Sequence, residues 1–239
     1  MSHPVHRRPV LSEQDCRQWT DTILSLEHHW LQRAPGVDFY TLGAASYLDG
    51  PWDGKAYSRA RDNTNQLLAS SFRGLYRQTC TALSTVLGAV EFHPRLAMPG
   101  FHVFAAKPGQ QLLGATAEFA RRGGSVHFDL QHKLHASLWQ EFEHVDWSSP
   151  LSFTLALALP ASGGGLRIWP TATATATTTE PLAPSDPVVD IDYRIGELIY
   201  FTEPLLHQIA PAVALQPGDQ RMTLQGHGLH CDGTWILYF

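Results

Sequence analysis

The stretch "GELIYFTEPLLHQIAPAV" (residues 196–213) sets the architecture of the whole chain. Gly196 permits a sharp entry turn. "ELIYF" is a short run of β-branched and aromatic residues, typical of a buried strand. "TEPLLH" then turns the chain so that His207 opens the next strand. The segment thus reads as two consecutive short strands joined by a Pro-containing turn.

The same punctuation extends outward in both directions. Upstream lie "GFHVFAAKPG", "GSVHFDLQ", "LSFTLALALP", "GGGLRIWP" and "VVDIDYR"; downstream lie "DQRMTLQGHG" and "TWILYF". Short strands at this spacing, without β-α-β alternation, indicate a sandwich or barrel. The first half reads helical. Ser12 caps a helix whose apolar positions Cys16, Trp19, Ile23, Leu26 and Trp30 step by threes and fours, up to "APG". A second helix is expected through "NTNQLLASSFRGLYRQTCTALSTVLG", with Gly88 as its C-cap. Between them runs an irregular segment, "ASYLDGPWDGKAYSRARDN", and "TATATATTTE" (171–180) reads as a surface loop. The expectation is a mainly β chain with flanking helices (α+β), one domain over 1–239. A helical part, about 1–95, would pack on a β core, about 96–239.

Composition narrows the function. With 44% hydrophobic residues in 239, a sizeable core is expected. Charged residues are only 16% and the net charge is −5, so a nucleic-acid partner is not expected. No apolar run reaches the length of a membrane span, and "MSHPVHRRPVLSEQDC" lacks the apolar region of a signal peptide. Cys16, Cys80 and Cys231 are few and far apart, which fits a reducing cytoplasm rather than a disulfide framework. Nothing in the sequence fixes the oligomeric state.

Three H-x-D pairs occur: His127/Asp129, His144/Asp146 and His230/Asp232. On a strand, residues i and i+2 share a face, so such a pair can offer two ligands to one metal. With thirteen histidines, roughly one such pair arises by chance, and context must choose. A mononuclear non-heme iron site takes two imidazoles and a carboxylate and leaves positions open. No histidine follows His230/Asp232, and His144/Asp146 precedes "SSP" in a turn-like setting. His127/Asp129 sits in a strand-like stretch after a glycine pair, with His207 eighty residues on. Arg221 follows His207 by fourteen residues. It either faces solvent on an edge strand or points inward at an anion, since a buried unpaired cation is costly.

In the order H-x-D, "GGGLRIWP", "YRIGELIYF…LHQIAP", "RMTLQGHG", the chain resembles the Fe(II)- and 2-oxoglutarate-dependent oxygenases, in particular the prolyl 4-hydroxylase-like branch with its small stand-alone hydroxylases. The resemblance spans roughly residues 100–230. It implies a double-stranded β-helix, or jelly-roll, core. It further implies His127, Asp129 and His207 as iron ligands, and Arg221 as the fork that grips the cosubstrate's distal carboxylate. Thr223 shares Arg221's face on an extended strand and is a second candidate for that carboxylate. His102 is a further candidate for the cosubstrate pocket, with a satisfied core histidine as the alternative. Asp129 stands where related halogenases carry a small residue, which favours hydroxylation.

The activity so implied is hydroxylation of an unactivated C–H with O2, converting 2-oxoglutarate to succinate and CO2. A small-molecule substrate (an amino acid, peptide or natural-product intermediate) is expected, with a protein side chain as the alternative. Tyr47, Trp52, Tyr57, Trp139 and Trp169 are candidate substrate contacts, or else core aromatics. The reading from a different class is a cupin-like barrel that binds a metal or small acid without turnover; such a barrel has no need of Arg221.

Overall fold

A computed structural model of the chain describes residues 4–49, 55–111, 114–134, 136–171, 187–212 and 218–239. Trp52 and all of the threonine tract but Thr171 lie outside the described residues. The elements run β1 (His6–Pro9), α1 (Glu13–Ser25), β2 (Leu31–Gln32), β3 (Phe39–Leu42), α2 (Lys55–Ser71), α3 (Arg73–Leu87), β4 (Val90–Phe92), β5 (Gly100–Phe104), α4 (Gly114–Arg122) and α5 (Gln131–Leu134). There follow β6 (Val145–Ala158), β7 (Leu166–Trp169), β8 (Val189–Ile191), β9 (Glu197–Phe201), β10 (Leu206–Ile209), β11 (Arg221–Cys231) and β12 (Thr234–Tyr238).

A nine-stranded sheet has the order β1-β9-β6-β11-β5-β3-β2, with β12 on the far half of β11 and β4 parallel to β12. A three-stranded sheet, β10-β7-β8, makes the second layer. The architecture is a jelly roll with flanking helices. Strand alternation divides the large sheet's two faces. Met222 and Leu224 of β11, with Leu155 of β6 and Phe101 of β5, join Ile23, Leu68 and Leu75 of the helices in the main core. The intervening positions of β6 and β11 (Ser152, Thr154, Gln225, His227) line a cavity instead. Each side chain fully removed from water in the core contributes roughly 1.5–3 kcal/mol, so the helices hold this sheet from behind.

The structure departs from expectation at several places. Helix α1 begins as foreseen, with Ser12 and Asp15 forming a reciprocal capping box. It ends at Ser25, however, and a 3-10 turn (Glu27–His29) follows. Trp30 therefore lies outside the helix, and its indole N–H caps the Ile23 carbonyl at 3.2 Å. The second helix is two: it breaks at Phe72, which is buried against Phe101 with ring centroids 4.5 Å apart. It also starts earlier, at Lys55, inside the segment expected to be irregular. Finally, β1 to β4 add strands to the part expected to be helical, and the expected strand "GSVHFDLQ" is only a bridge at His127 before α5. Among the described residues no helix is long and apolar enough to cross a membrane.

Candidate metal centre and substrate cavity

Among the described residues, one group of histidine and carboxylate donors is close enough to share a metal ion: His127, Asp129 and His207, with ligand atoms within 4.8 Å of one another. The backbone builds it. Gly123 has φ +76°, and a Cβ there would stand 2.4 Å from the Ile209 carbonyl oxygen. Only glycine lets this segment lie so close to β10. His127 then pairs with His207 through two backbone hydrogen bonds, 2.9 and 3.0 Å.

The imidazoles are aimed by their own backbones. Nδ1 of His127 lies 2.8 Å from the Ser125 carbonyl, and Nδ1 of His207 lies 2.8 Å from that of Leu205. A carbonyl only accepts, so each Nδ1 carries the hydrogen and each Nε2 keeps its lone pair free, as a metal ligand must. Those Nε2 atoms are each 3.5 Å from an Asp129 oxygen. Donors roughly 2.0–2.2 Å from a common ion and at right angles stand about 3 Å apart, so the set fits with small adjustment. Ser152 Oγ donates to the same carboxylate at 2.6 Å and orients it.

Electrostatics agree with this donor set. Burial would raise the Asp129 carboxyl, but the imidazoles of His207, His227 and His127 outweigh it and hold it well below the usual range. Burial pulls His207 down and keeps it neutral. His127 is the exception: burial lowers it, but Asp129 beside its Nε2 favours the protonated ring and moves it up on balance, so a metal there would displace a proton. An ionised carboxylate beside a neutral imidazole is the protonation state that metal binding requires.

Arg221 is buried and points inward. Its guanidinium lies between the rings of Phe104 and Tyr193, at 5.8 and 5.7 Å from their centroids. Nε donates to the Gly164 carbonyl at 2.7 Å, and Nη1 reaches the fully buried Thr223 hydroxyl at 3.4 Å. Nη2 has no partner. Gly164, at φ +73°, brings its backbone against this side chain; a Cβ there would lie 3.2 Å from Arg221 Cδ. A buried cation with an orphaned N–H is suited to a small anion.

The triad opens onto a cavity of about 750 Å3. Small-molecule sites span about 300–1,000 Å3, so the volume suits such a ligand. Phe39, Phe104 and Phe119 form one wall, with Phe39 and Phe104 stacked at 4.3 Å. Tyr47 and His102 also line it, and their Oη and Nε2 are 2.6 Å apart. His102 Nδ1 is buried without a partner, so this is not a satisfied core histidine.

Three of the expected substrate aromatics sit elsewhere. Tyr57 is buried in the core, where its hydroxyl accepts the Ala97 N–H at 2.7 Å. Trp139 packs edge-on against Tyr238 in a separate core cluster. Trp169 is buried at the end of β7 and is not part of the cavity wall. Their size drew them into the apolar interior. Sequence reasoning missed His227, whose Nδ1 is 3.7 Å from Asp129. The signal was present: stepping by two from Arg221 through Thr223 and Gln225 reaches His227.

The other two H-x-D pairs make local structural contacts, and Asp146 stands within β6 rather than in the turn expected for it. The Asp232 carboxylate accepts the backbone N–H groups of Glu143 and His144 at 3.1 and 2.7 Å. Asp146 takes the N–H and hydroxyl of Ser148 at 2.9 and 2.6 Å.

With this geometry the fold has solved counterparts. One is the non-heme alpha-ketoglutarate-dependent carbocyclase SnoK from nogalamycin biosynthesis: 14% identity over 99% of this chain and 92% of that one, TM-score 0.53. Another is the epimerase SnoN in complex with Fe3+, alpha-ketoglutarate and nogalamycin RO: 14% identity over 94% and 78%, TM-score 0.52. A third is an N-substituted L-amino acid dioxygenase from Burkholderia ambifaria AMMD in complex with alpha-ketoglutarate: 12% identity over 99% and 86%, TM-score 0.57. No protein-family model and no curated protein matches the sequence. The fold is that of the Fe(II)- and 2-oxoglutarate-dependent oxygenases.

Proposed function

We propose that the protein is an Fe(II)- and 2-oxoglutarate-dependent oxygenase that hydroxylates an unactivated C–H of a small molecule, releasing succinate and CO2. The observation that carries this reading is the pairing of two sites: a facial set of two Nε2 lone pairs and one carboxylate, and a buried guanidinium with an unpartnered Nη2.

His127, Asp129 and His207 would hold Fe(II), and that ion supplies the oxygen chemistry when bound. With three protein ligands, the ion would remain open to 2-oxoglutarate and O2. Arg221 takes the distal carboxylate, with the Thr223 hydroxyl beside it. The phenyl wall of Phe39, Phe104 and Phe119 keeps water from the reacting centre. Asp129 supports hydroxylation, because the carboxylate occupies the position that a halide would need. The cavity volume favours a small molecule over a protein side chain.

The test is turnover. Protein given Fe(II), 2-oxoglutarate and air releases succinate above a metal-free control, and Asp129→Ala abolishes the release. Succinate production equal in the parent and the Asp129 variant would refute the assignment. Once a substrate is found, incorporation of one 18O atom from 18O2 into the product identifies hydroxylation.

A further inference from the structure

The Tyr47–His102 pair lies on the cavity wall, yet the reading above gives it no task. Its hydrogen can sit in two ways. If Tyr47 donates to His102 Nε2, then Nδ1 carries the second ring hydrogen. Nδ1 is buried and has no partner, so this leaves an unmet N–H donor, which costs more than a bare ring nitrogen. If instead Nε2–H donates to the Tyr47 oxygen, Nδ1 is a bare ring nitrogen, and the phenol hydrogen is released for another acceptor. The second arrangement avoids the orphaned donor. It also leaves a phenol O–H on the wall of the cavity that holds the triad.

Both groups hold these protonation states near neutral pH. Burial, together with Arg221 and neighbouring imidazoles, pushes His102 well below its ordinary value, so it stays neutral. Burial first, then Asp129, pushes the Tyr47 phenol up, so it stays protonated. The surroundings are apolar: Phe39 meets the His102 ring edge-on at 5.3 Å, and Phe104 stacks on Phe39. Tyr47 is itself clamped, with its ring edge-on to His227 at 5.9 Å and to Phe239 at 6.1 Å. A neutral donor fixed in an aromatic wall matches a neutral oxygen acceptor on an apolar body.

We propose that Tyr47, oriented by His102, is a substrate-recognition residue whose hydroxyl donates to a ketone-type carbonyl oxygen on an apolar, ring-bearing substrate. The proposal rests on the oxygenase reading for calling the occupant a substrate. Arg221 does not line this cavity but a smaller one beside it, sharing Phe104, Phe119, Gly124 and Ile209 as common walls. Tyr47 and Arg221 therefore stand at different places on a shared wall, Arg221 next to Phe104 and Tyr193 of the large cavity. Tyr47 is the specificity contact and His102 a positioning residue acting through it.

The test uses the full chain and a pair of matched probes, acetophenone and α-methylstyrene, which differ by a carbonyl oxygen against a methylene. An unmet buried donor costs enough that the parent should prefer the ketone by about tenfold. In Tyr47→Phe, which keeps the ring, the preference should fall to within about twofold. Nitrogen-15 spectra of His102 should show a protonated Nε2 and a bare Nδ1 in the parent. Equal affinity for the two probes, binding of neither, tighter binding of benzoate than of acetophenone, or a protonated Nδ1 would each overturn the proposal. So would a tenfold loss of 2-oxoglutarate affinity in Tyr47→Phe, since the donor would then serve the cosubstrate. The probe measurements need no iron, so failure of the oxygenase reading would show separately, as an absent 2-oxoglutarate chelate with ketone preference intact.

Discussion

His127 and His207 exchange both of their backbone hydrogen bonds, and their ring centroids stand 4.5 Å apart. Two residues eighty positions apart in sequence thus become directly opposed neighbours, with side chains on one face. Each ring is turned by its own Nδ1 contact to a carbonyl two residues earlier. The geometry of the two nitrogen donors is a property of the backbone pairing. Metal affinity should therefore respond to substitutions that never touch a ligand.

Gly123 is such a position. Gly123→Ala places a Cβ against the Ile209 carbonyl, in a left-handed conformation that costs an L-residue roughly 1–2 kcal/mol before the clash is counted. We expect at least about a tenfold loss of metal affinity, comparable to removal of a supporting contact around a ligand. Titration with Co(II), followed by its visible bands, reads this directly. Parent-like affinity would mean that the loop, rather than the pairing, positions His127.

Arg221→Met separates the two halves of the site. Truncating one partner of a buried charge pair costs ~2–5 kcal/mol, so 2-oxoglutarate binding should weaken by at least about tenfold. Iron affinity should stay within about twofold, because the guanidinium contacts carbonyl and hydroxyl groups rather than the triad. Unchanged 2-oxoglutarate affinity would assign the orphaned Nη2 to some other anion.

The three H-x-D pairs make a built-in control. His127→Ala and Asp129→Ala should abolish iron-dependent turnover. His144→Ala should leave most of it, and so should Asp232→Ala, which removes only a turn contact worth roughly 1 kcal/mol. Loss of turnover in the His144 variant, with the His127 variant still active, would reverse the assignment.

The cysteines should be inert in the folded protein. Burial pushes Cys16 and Cys80 up to about 11 and Cys231 up to about 12. At pH 8 the reactive thiolate is then about a thousandth or less of each. A thiol reagent should react slowly with native protein and rapidly with all three groups after unfolding. A fast native burst would show that one of the burial sites opens.

Much of this site could be read from sequence because its markers are local. The candidate ligands were marked by short motifs, the "GG" before an H-x-D pair and the turn that opens a strand at His207, but their meeting across eighty residues comes from a pairing that no local stretch carries. Strand alternation along β11 could also have given His227. The helical half was harder. Phe72 breaks a continuous helical pattern because the core takes its ring, and Trp30 leaves the α1 periodicity to cap Ile23. Both are tertiary choices that periodicity does not carry. Tyr57, Trp139 and Trp169 show the same limit: an aromatic in an irregular or strand-edge setting looks alike whether it faces a cavity or the core.

The most direct test of the central claim is the absorption spectrum of the protein with Fe(II) and 2-oxoglutarate in the absence of oxygen. A weak visible charge-transfer band is expected that requires both additions, is lost in His127→Ala, Asp129→Ala and His207→Ala, and bleaches slowly on admission of air. Stoichiometric iron binding with no 2-oxoglutarate-dependent band would contradict it, and would leave a barrel that binds metal without the cosubstrate chemistry.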